Sequence, residues 1–256
     1  MPVTNSATLT AVLLPGIDGT GRNFGPLIEQ LPSWISPQVI AYPSHEVLSY
    51  VQLTELLQPL LSTDKPYILI AESFAGPLAL LLSQRAGDNL KALVLCVTFV
   101  SNPRPRLAKL APLLLHEWLL AVPPQKWMAR LFVTGFDVSD AMLAQALEIH
   151  RHMSPHVILQ RLREVIRIDV RDRLRTCRLP VLHLYAKRDH LILQGATREI
   201  HSLRPDIQSL GIDGPHFLLQ TRPQQCVAAI VAFLHEQGIV NLNRAEHREK
   251  DNRDQE

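Results

Sequence analysis

Short apolar runs alternate with longer segments of helical periodicity along most of the chain. Six runs are bounded by turn residues, and most of them are apolar on consecutive positions, which is typical of strands covered by helices on both faces of a parallel sheet. These predicted strands span residues 9–15, 38–43, 67–73, 91–99, 180–186 and 206–212. Predicted helices span 23–31, 47–61, 74–86 and 223–237. This alternation predicts a doubly wound α/β fold with a mostly parallel sheet.

One interval, residues 101–178, breaks the alternation. It has no strand pattern, and prolines separate its helical segments. Ser154 followed by Pro155 is a typical helix start. Apolar residues on the predicted helix faces include Leu143, Ala146, Leu147, Ile158, Leu162, Val165 and Ile166. We therefore predict a helical insertion, 101–178, that caps a site on an α/β core of residues 1–100 and 179–240. The charged residues 241–256 predict a disordered tail.

A nucleophile is predicted where the third strand meets the following helix. Ser73 lies in the segment Ala71-Glu72-Ser73-Phe74-Ala75-Gly76. A sharp strand-to-helix turn there would present the serine hydroxyl at the carboxyl edge of the sheet. Such turns need small residues two positions before and after the serine, and Ala71 and Ala75 occupy these positions in place of the usual glycines. The alternative is that Ser73 only caps the helix.

A loop able to stabilise an oxyanion follows the first predicted strand. Acyl transfer needs two backbone N–H donors, one of them from the residue after the nucleophile, here Phe74. Ile17, in the loop Pro15-Gly16-Ile17-Asp18-Gly19-Thr20-Gly21, is the candidate for the second. The glycines lack the spacing of a P-loop or a dinucleotide-binding loop. A turn with a purely structural role is the alternative.

An acid and a base follow the last two predicted strands. Asp189 comes directly after the fifth strand, and His216 follows the sixth in Gly214-Pro215-His216-Phe217. An aspartate at this edge of the sheet can reach the imidazole of the next loop and stabilise its protonated form. His190 is a weaker rival base because it adjoins the acid. Asp169 and Asp172 are weaker rival acids because they precede the strand.

Together these four segments resemble the α/β-hydrolase superfamily over roughly residues 9–234. The loop PGIDGTG and the elbow AESFAGPLA resemble those of small esterases, lipases and acyltransferases. The resemblance implies a serine hydrolase in which Ser73, Asp189 and His216 cleave a carboxylic ester through an acyl-enzyme. The alternatives are an acyltransferase, a thioesterase or a C–C hydrolase with the same triad, and a non-catalytic binding protein of the same fold.

Residues 107–122 are rich in leucine. Ligand pockets are mostly apolar, so this segment favours a hydrophobic acyl or aromatic substrate, with Leu114 and Trp118 as candidate contacts. The alternative is that these side chains only pack the insertion against the core.

Charge and cysteine content narrow the expected partners. The 26 basic and 24 acidic residues give a formal net charge of +2, without the basic patch that nucleic acid requires. His150, His152 and His156 lack zinc-site spacing, so no metal or cofactor is expected. No apolar run approaches the roughly 20 residues of a membrane span, and the N-terminus lacks a signal-peptide pattern. Three cysteines without a disulfide pattern fit a reducing compartment. We expect a cytoplasmic protein that acts on a small-molecule ester.

Overall fold

Six parallel strands form a single sheet in the computed structural model, which describes residues 9–61, 64–105, 116–117, 125–136 and 138–240. The strand order is β2-β1-β3-β4-β5-β6. The strands are β1 (Leu9–Leu14), β2 (Ile35–Val39), β3 (Tyr67–Glu72), β4 (Leu90–Cys96), β5 (Val181–Ala186) and β6 (Gln208–Ile212). The predicted α/β class is confirmed, and the sheet is parallel throughout.

Helices pack on both faces of this sheet and bury two apolar clusters. Every residue of β3 is buried, as its continuous apolar run predicts for a central strand. The helices are α1 (Gly25–Ile28), α2 (Tyr50–Leu57), α3 (Ala75–Ser83), α4 (Lys126–Ala129), α5 (Asp140–His152), α6 (Pro155–Arg167), α7 (Arg171–Thr176), α8 (Gln194–Leu203), α9 (Leu218–Thr221) and α10 (Pro223–Glu236). One cluster contains side chains of α2, α3, α7 and α8, and the other contains side chains of α1, α9 and α10.

The second strand lies upstream of its predicted position. The prediction covered residues 38–43, whereas β2 spans Ile35–Val39 and pairs only with β1. As an edge strand it tolerates Pro37, which would break a central strand. Ile40 and Tyr42 are buried beyond the end of the strand. Both side chains are buried although they lie outside the strand, which accounts for the apolar run that misled the prediction.

The fourth strand ends three residues before the predicted end at residue 99. Val97 leaves the strand with a φ of 44°, in the left-handed region that β-branched residues rarely adopt. The chain therefore turns sharply at the carboxyl edge of the sheet, next to the end of β3.

Residues 97–180 connect β4 to β5 and are called here the β4–β5 segment. The regular structure described in this segment is helical, apart from an isolated bridge between Ser101 and Asp169. Helix α6 begins at Pro155, where the Ser154-Pro155 pair predicted a start. A π-helical stretch, Arg130–Thr134, follows α4. Leu114, Trp118 and residues 241–256 lie outside the described residues. None of the described helices is long and apolar enough to span a bilayer.

Candidate active site

The turn between β3 and α3 holds Ser73 in a left-handed conformation. Its φ is 52°, which is uncommon for a residue other than glycine and is a form of backbone strain that clusters at functional sites. The Ser73 N–H donates to the Cys96 carbonyl at 2.9 Å, which ties the turn to the end of β4. The N-cap position of α3 is Phe74. The Ser73 hydroxyl instead points to a histidine.

Ser73, His216 and Asp189 form a hydrogen-bonded chain. The Ser73 Oγ lies 3.0 Å from His216 Nε2, and His216 Nδ1 lies 2.7 Å from Asp189 Oδ2. Both are hydrogen-bonding distances. The structure thus brings together three residues that the sequence places after three different strands. The histidine stands between the hydroxyl and the carboxylate, as a general base that serves a nucleophile must.

The Asp189 carboxylate is fixed by its own loop. Its Oδ1 accepts hydrogen bonds from the N–H groups of Leu191 and Ile192, both at 2.8 Å, while Oδ2 faces His216. The side chains of His216 and Asp189 are 8% and 4% exposed, so water screens their interaction little. Burial alone would lower the pKa of His216. The charge and hydrogen bond of Asp189, together with the charge of Glu72, outweigh it and raise this pKa above its usual value.

The two candidate oxyanion donors border the same cavity as the serine. Ile17 and Phe74 both line it beside Ser73. Within the described part of the chain, neither backbone N–H donates a hydrogen bond to a protein atom. Both groups therefore keep their capacity to donate to another acceptor.

Close packing explains how the elbow accommodates two alanines. Ala71 and Ala75 are fully buried, and Ser73 between them still adopts the left-handed conformation of the elbow. The position that requires glycine is one residue further along, at Gly76. A Cβ there would lie 2.0 Å from Thr98 Oγ1, far inside van der Waals contact. The close approach of β4 to the elbow therefore falls on Gly76.

A cavity of about 490 Å³ opens in front of Ser73. Its apolar wall includes side chains from the helix faces that the sequence predicts, namely Ala146, Leu147, Leu162, Val165 and Ile166. Besides Ser73 and His216, polar and charged side chains also line it, namely Asp18, Asn23, Glu72, Asn102, Arg104, Thr134 and His150. A mostly apolar cavity with a few convergent polar groups is typical of a small-molecule site.

Hydrogen bonds tie the β4–β5 segment to the loops beside the serine. Arg161 of α6 is 2% exposed, and its Nη1 donates to the Ile17 carbonyl at 2.6 Å. The Phe217 N–H, next to His216, donates to the Val133 carbonyl of the π-helical stretch at 2.9 Å. The segment therefore contacts both the candidate oxyanion loop and the histidine loop.

Glu72 is a buried carboxyl group that the sequence analysis did not single out. It lines the cavity next to Ser73 and is 7% exposed, and its Oε1 accepts a hydrogen bond from Gln220 Nε2 at 3.0 Å. Burial raises its pKa to about 7, against the opposing influences of Gln220 and His216. The only sequence signal for a role of Glu72 was its position next to Ser73. Its partner Gln220 lies 148 residues away along the chain, so the sequence did not indicate their pairing.

No metal site is evident in the described ranges. No group of three or more His, Cys, Asp or Glu side chains there could hold a metal ion. Of the clustered histidines, His152 lies 3.4 Å from Glu148 and His156 lies 2.5 Å from Glu117. All three cysteines are free and buried.

Comparison with known proteins identifies the fold. No protein-family model and no curated protein matches the sequence. A lipase-esterase related protein from Clostridium acetobutylicum superposes with a TM-score of 0.73 at 16% identity, covering 90% of this chain and 96% of that one. An esterase from Exiguobacterium antarcticum superposes with a TM-score of 0.72 at 15% identity, covering 90% of this chain and 93% of that one. A bromoperoxidase from Bacillus anthracis superposes with a TM-score of 0.71 at 19% identity, covering 88% of this chain and 91% of that one. The chain therefore has the α/β-hydrolase fold, as the sequence resemblance implies.

Proposed function

We propose that this chain, which has the α/β-hydrolase fold, is a serine hydrolase that cleaves carboxylic esters through an acyl-enzyme. The observation that carries the proposal is the hydrogen-bonded chain from Ser73 Oγ through His216 to Asp189, at 3.0 and 2.7 Å. It ends at a mostly apolar cavity in which an ester could bind. A fold of this kind supports many reactions, so the proposal depends on the site and not on the fold.

The first half-reaction forms the acyl-enzyme. Asp189 accepts a hydrogen bond from the Nδ1–H of His216, which leaves Nε2 free to accept the proton of Ser73 as its oxygen attacks the ester carbonyl carbon. The N–H groups of Ile17 and Phe74 donate to the resulting oxyanion. The carbon–oxygen bond to the alcohol then breaks, and His216 protonates the departing alcohol.

The second half-reaction reverses these roles with water as the nucleophile. His216 accepts a proton from the water as it attacks the acyl carbon, and then returns that proton to Ser73 Oγ as the acid leaves. No cofactor or metal takes part in this scheme. Asp189 stays ionised throughout and holds the imidazole in place.

The cavity supports a hydrophobic substrate. Leu162, Val165 and Ile166 of α6 and Leu147 of α5 present apolar surface opposite the serine. In this proposal the β4–β5 segment is the cap, and its side chains contact the acyl or aromatic part of the ester. The polar groups beside Ser73 face the reacting carbonyl end.

Hydrolysis of p-nitrophenyl esters of increasing acyl length tests the proposal. Wild-type protein is expected to release p-nitrophenol with a maximum at one chain length, and Ser73→Ala is expected to abolish turnover while its circular dichroism stays unchanged. Turnover that survives in Ser73→Ala would overturn the assignment of the nucleophile. Labelling of Ser73 by a fluorophosphonate without ester turnover would instead favour an acyltransferase, a thioesterase or a C–C hydrolase.

A further inference from the structure

We propose that Tyr42 and Thr98 are positioning residues. Each orients one of the two oxyanion donors by a hydrogen bond to the carbonyl of the same peptide group. The inference rests on the proposed function, because it takes the N–H groups of Ile17 and Phe74 as those donors. Neither hydroxyl reaches the reacting atoms in this account. Each acts on the backbone that does.

The geometry of the peptide bond makes such control possible. An N–H and the carbonyl of the preceding residue belong to one planar unit. The Ile17 N–H therefore shares a plane with the Gly16 carbonyl, and the Phe74 N–H shares a plane with the Ser73 carbonyl. A hydrogen bond that fixes the carbonyl also fixes the direction of the N–H, and it polarises the unit so that the N–H donates more strongly.

The first peptide unit is held by Tyr42, just beyond β2. The Gly16 carbonyl accepts from the Tyr42 hydroxyl at 2.7 Å and from the Gly19 N–H at 3.1 Å. The hydroxyl also contacts the Pro15 carbonyl, so its single proton is shared within this loop. Tyr42 is 4% exposed and its own N–H donates to the Gly19 carbonyl at 2.9 Å.

Gly19 shows how closely the loop fits this tyrosine. Its φ is 72°, and a Cβ there would lie 2.6 Å from the Tyr42 ring. Only glycine adopts this conformation without strain and leaves room for the ring. The guanidinium carbon of Arg161 lies 5.0 Å from the centre of the Tyr42 ring. Tyr42 is thus confined by the loop whose carbonyl it binds.

The second peptide unit is held by Thr98, just beyond β4. The Ser73 carbonyl accepts from the Thr98 hydroxyl and from the Gly76 N–H at 3.1 Å. Thr98 is 1% exposed and follows Val97, whose φ of 44° is unfavourable for a β-branched residue. That turn carries Thr98 toward the elbow, where Gly76 leaves room for it.

The same arrangement therefore occurs twice in the sheet order β2-β1-β3-β4. Each donor peptide follows one of the inner strands, β1 or β3. The Gly16 carbonyl accepts hydrogen bonds from the hydroxyl of Tyr42, which follows β2, and from the N–H of Gly19. The Ser73 carbonyl accepts hydrogen bonds from the hydroxyl of Thr98, which follows β4, and from the N–H of Gly76. Two buried hydroxyls at equivalent points on the two donor units support a common role in orienting them.

The test is kinetic and uses variants that remove a hydroxyl with little change in shape, Tyr42→Phe and Thr98→Val. With the ester that wild type cleaves best, each is expected to lower kcat about tenfold, less than the loss of a whole oxyanion donor, and to leave KM within about twofold. Binding of a phenylboronic acid, which forms a tetrahedral adduct with an active serine, is expected to weaken by the same factor as kcat. Thr98→Ser, which keeps the hydroxyl, is expected to restore both values.

Tyr50→Phe is the matched control. Tyr50 is also buried, and its hydroxyl donates to a backbone carbonyl at 2.9 Å. That carbonyl belongs to Phe74, in the peptide unit after the one that contains the Phe74 N–H. The control therefore loses an equivalent hydrogen bond beside the site without touching a donor unit, and its kcat is expected to match wild type. Thermal unfolding and circular dichroism check that each variant folds, and Thr98→Ala replaces Thr98→Val if the latter does not.

The outcomes separate this inference from the proposed function. Unchanged kcat in folded Tyr42→Phe and in folded Thr98→Val or Thr98→Ala, with a wild type that turns over ester, would overturn the positioning roles alone. An equal loss in Tyr50→Phe would also overturn them, because it would point to general packing. A folded wild type without turnover or fluorophosphonate labelling would overturn the proposed function, and the positioning roles with it.

Discussion

The two sides of the cavity differ in how their residues are held. On the sheet side, Ser73, Asp189 and the candidate oxyanion peptides are each fixed by hydrogen bonds. On the opposite side, α5 and α6 present mainly apolar side chains, whose attraction is not directional. Directional contacts determine where charge and protons can be stabilised, and apolar walls determine what fits. We therefore expect substitutions on the sheet side to change kcat, and substitutions on the helical side to change substrate preference.

After the loss of Ser73 itself, the largest effect is expected for Asp189→Asn. The amide can donate to His216 and so favour the wrong imidazole tautomer, which is expected to lower kcat about 10⁴-fold with little change in KM. Ester hydrolysis at saturating substrate measures it. Asp213→Asn is the control, because that carboxylate is 70% exposed and pairs with Arg188 on the surface. Comparable losses in the two variants would contradict a special role for Asp189.

Gly76→Ala is expected to damage the sheet side through packing. The new methyl group would lie 2.0 Å from Thr98 Oγ1, so the elbow or the end of β4 must shift. We expect a loss of about 1–3 kcal/mol in the free energy of unfolding, together with a lower kcat. Urea denaturation and ester hydrolysis measure the two effects.

Gly87→Ala controls for the general effect of replacing glycine, because a Cβ there meets no atom within 4 Å. Its free energy of unfolding and its kcat are both expected to stay close to those of wild type. A Gly76→Ala variant as stable and active as Gly87→Ala would show that the elbow tolerates a side chain at residue 76.

On the helical side, Leu162→Ala is expected to enlarge the cavity and shift the preferred acyl length upward. A methylene in an apolar pocket is worth about 1–3 kcal/mol, so the ratio of kcat/KM for long over short esters is expected to rise about tenfold. The kcat for the preferred ester should change much less. Leu56→Ala, at a leucine on α2 that is 44% exposed, is the control and should leave the profile unchanged. An unshifted profile in Leu162→Ala would place the acyl group elsewhere.

The smallest expected effect is a displacement of the pH profile. His216 must be neutral to accept the serine proton, and its pKa lies above the usual value of 6.5. Activity should therefore fall as the pH drops through this raised pKa, with the midpoint of the acid limb of kcat/KM above pH 6.5.

Glu72→Gln sharpens this comparison, because it preserves the shape of the side chain and removes a carboxyl group that raises the pKa of His216 to the extent that it is ionised, which its own pKa of about 7 makes partial in this pH range. The midpoint is expected to move to lower pH, and a pH titration of kcat/KM in both proteins measures the shift. A midpoint below pH 6.5 in wild type would contradict the proposed pairing of His216 with Asp189.

The central strands and the loops after them could be predicted because their signals are local. A strand such as β3 is apolar at nearly every position, and the chain order of Ser73, Asp189 and His216 places each after a strand end. The apolar faces of α5 and α6 were also visible as periodicity. That these apolar faces line a cavity in front of Ser73 could not be predicted from periodicity, because it depends on how the helices pack against the sheet.

The features that the sequence analysis missed depend on which strands are neighbours. Tyr42 and Thr98 become meaningful only when β2 lies beside β1 and β4 lies beside β3. The pairing of Glu72 with Gln220 likewise joins positions far apart in the chain. The position of β2 was wrong because burial at the end of an edge strand resembles strand pairing in sequence. The roles of Leu114 and Trp118 stay predictions.

The most direct test of the central claim is to locate the nucleophile chemically. Folded wild-type protein is incubated with a fluorophosphonate, digested with trypsin and analysed by mass spectrometry, beside His216→Ala and heat-unfolded wild type. We predict a single adduct on Ser73 in folded wild type, and little or none in the other two samples, because only a serine activated by its histidine attacks the probe. An adduct on a different residue, or no adduct on folded wild type, would contradict it.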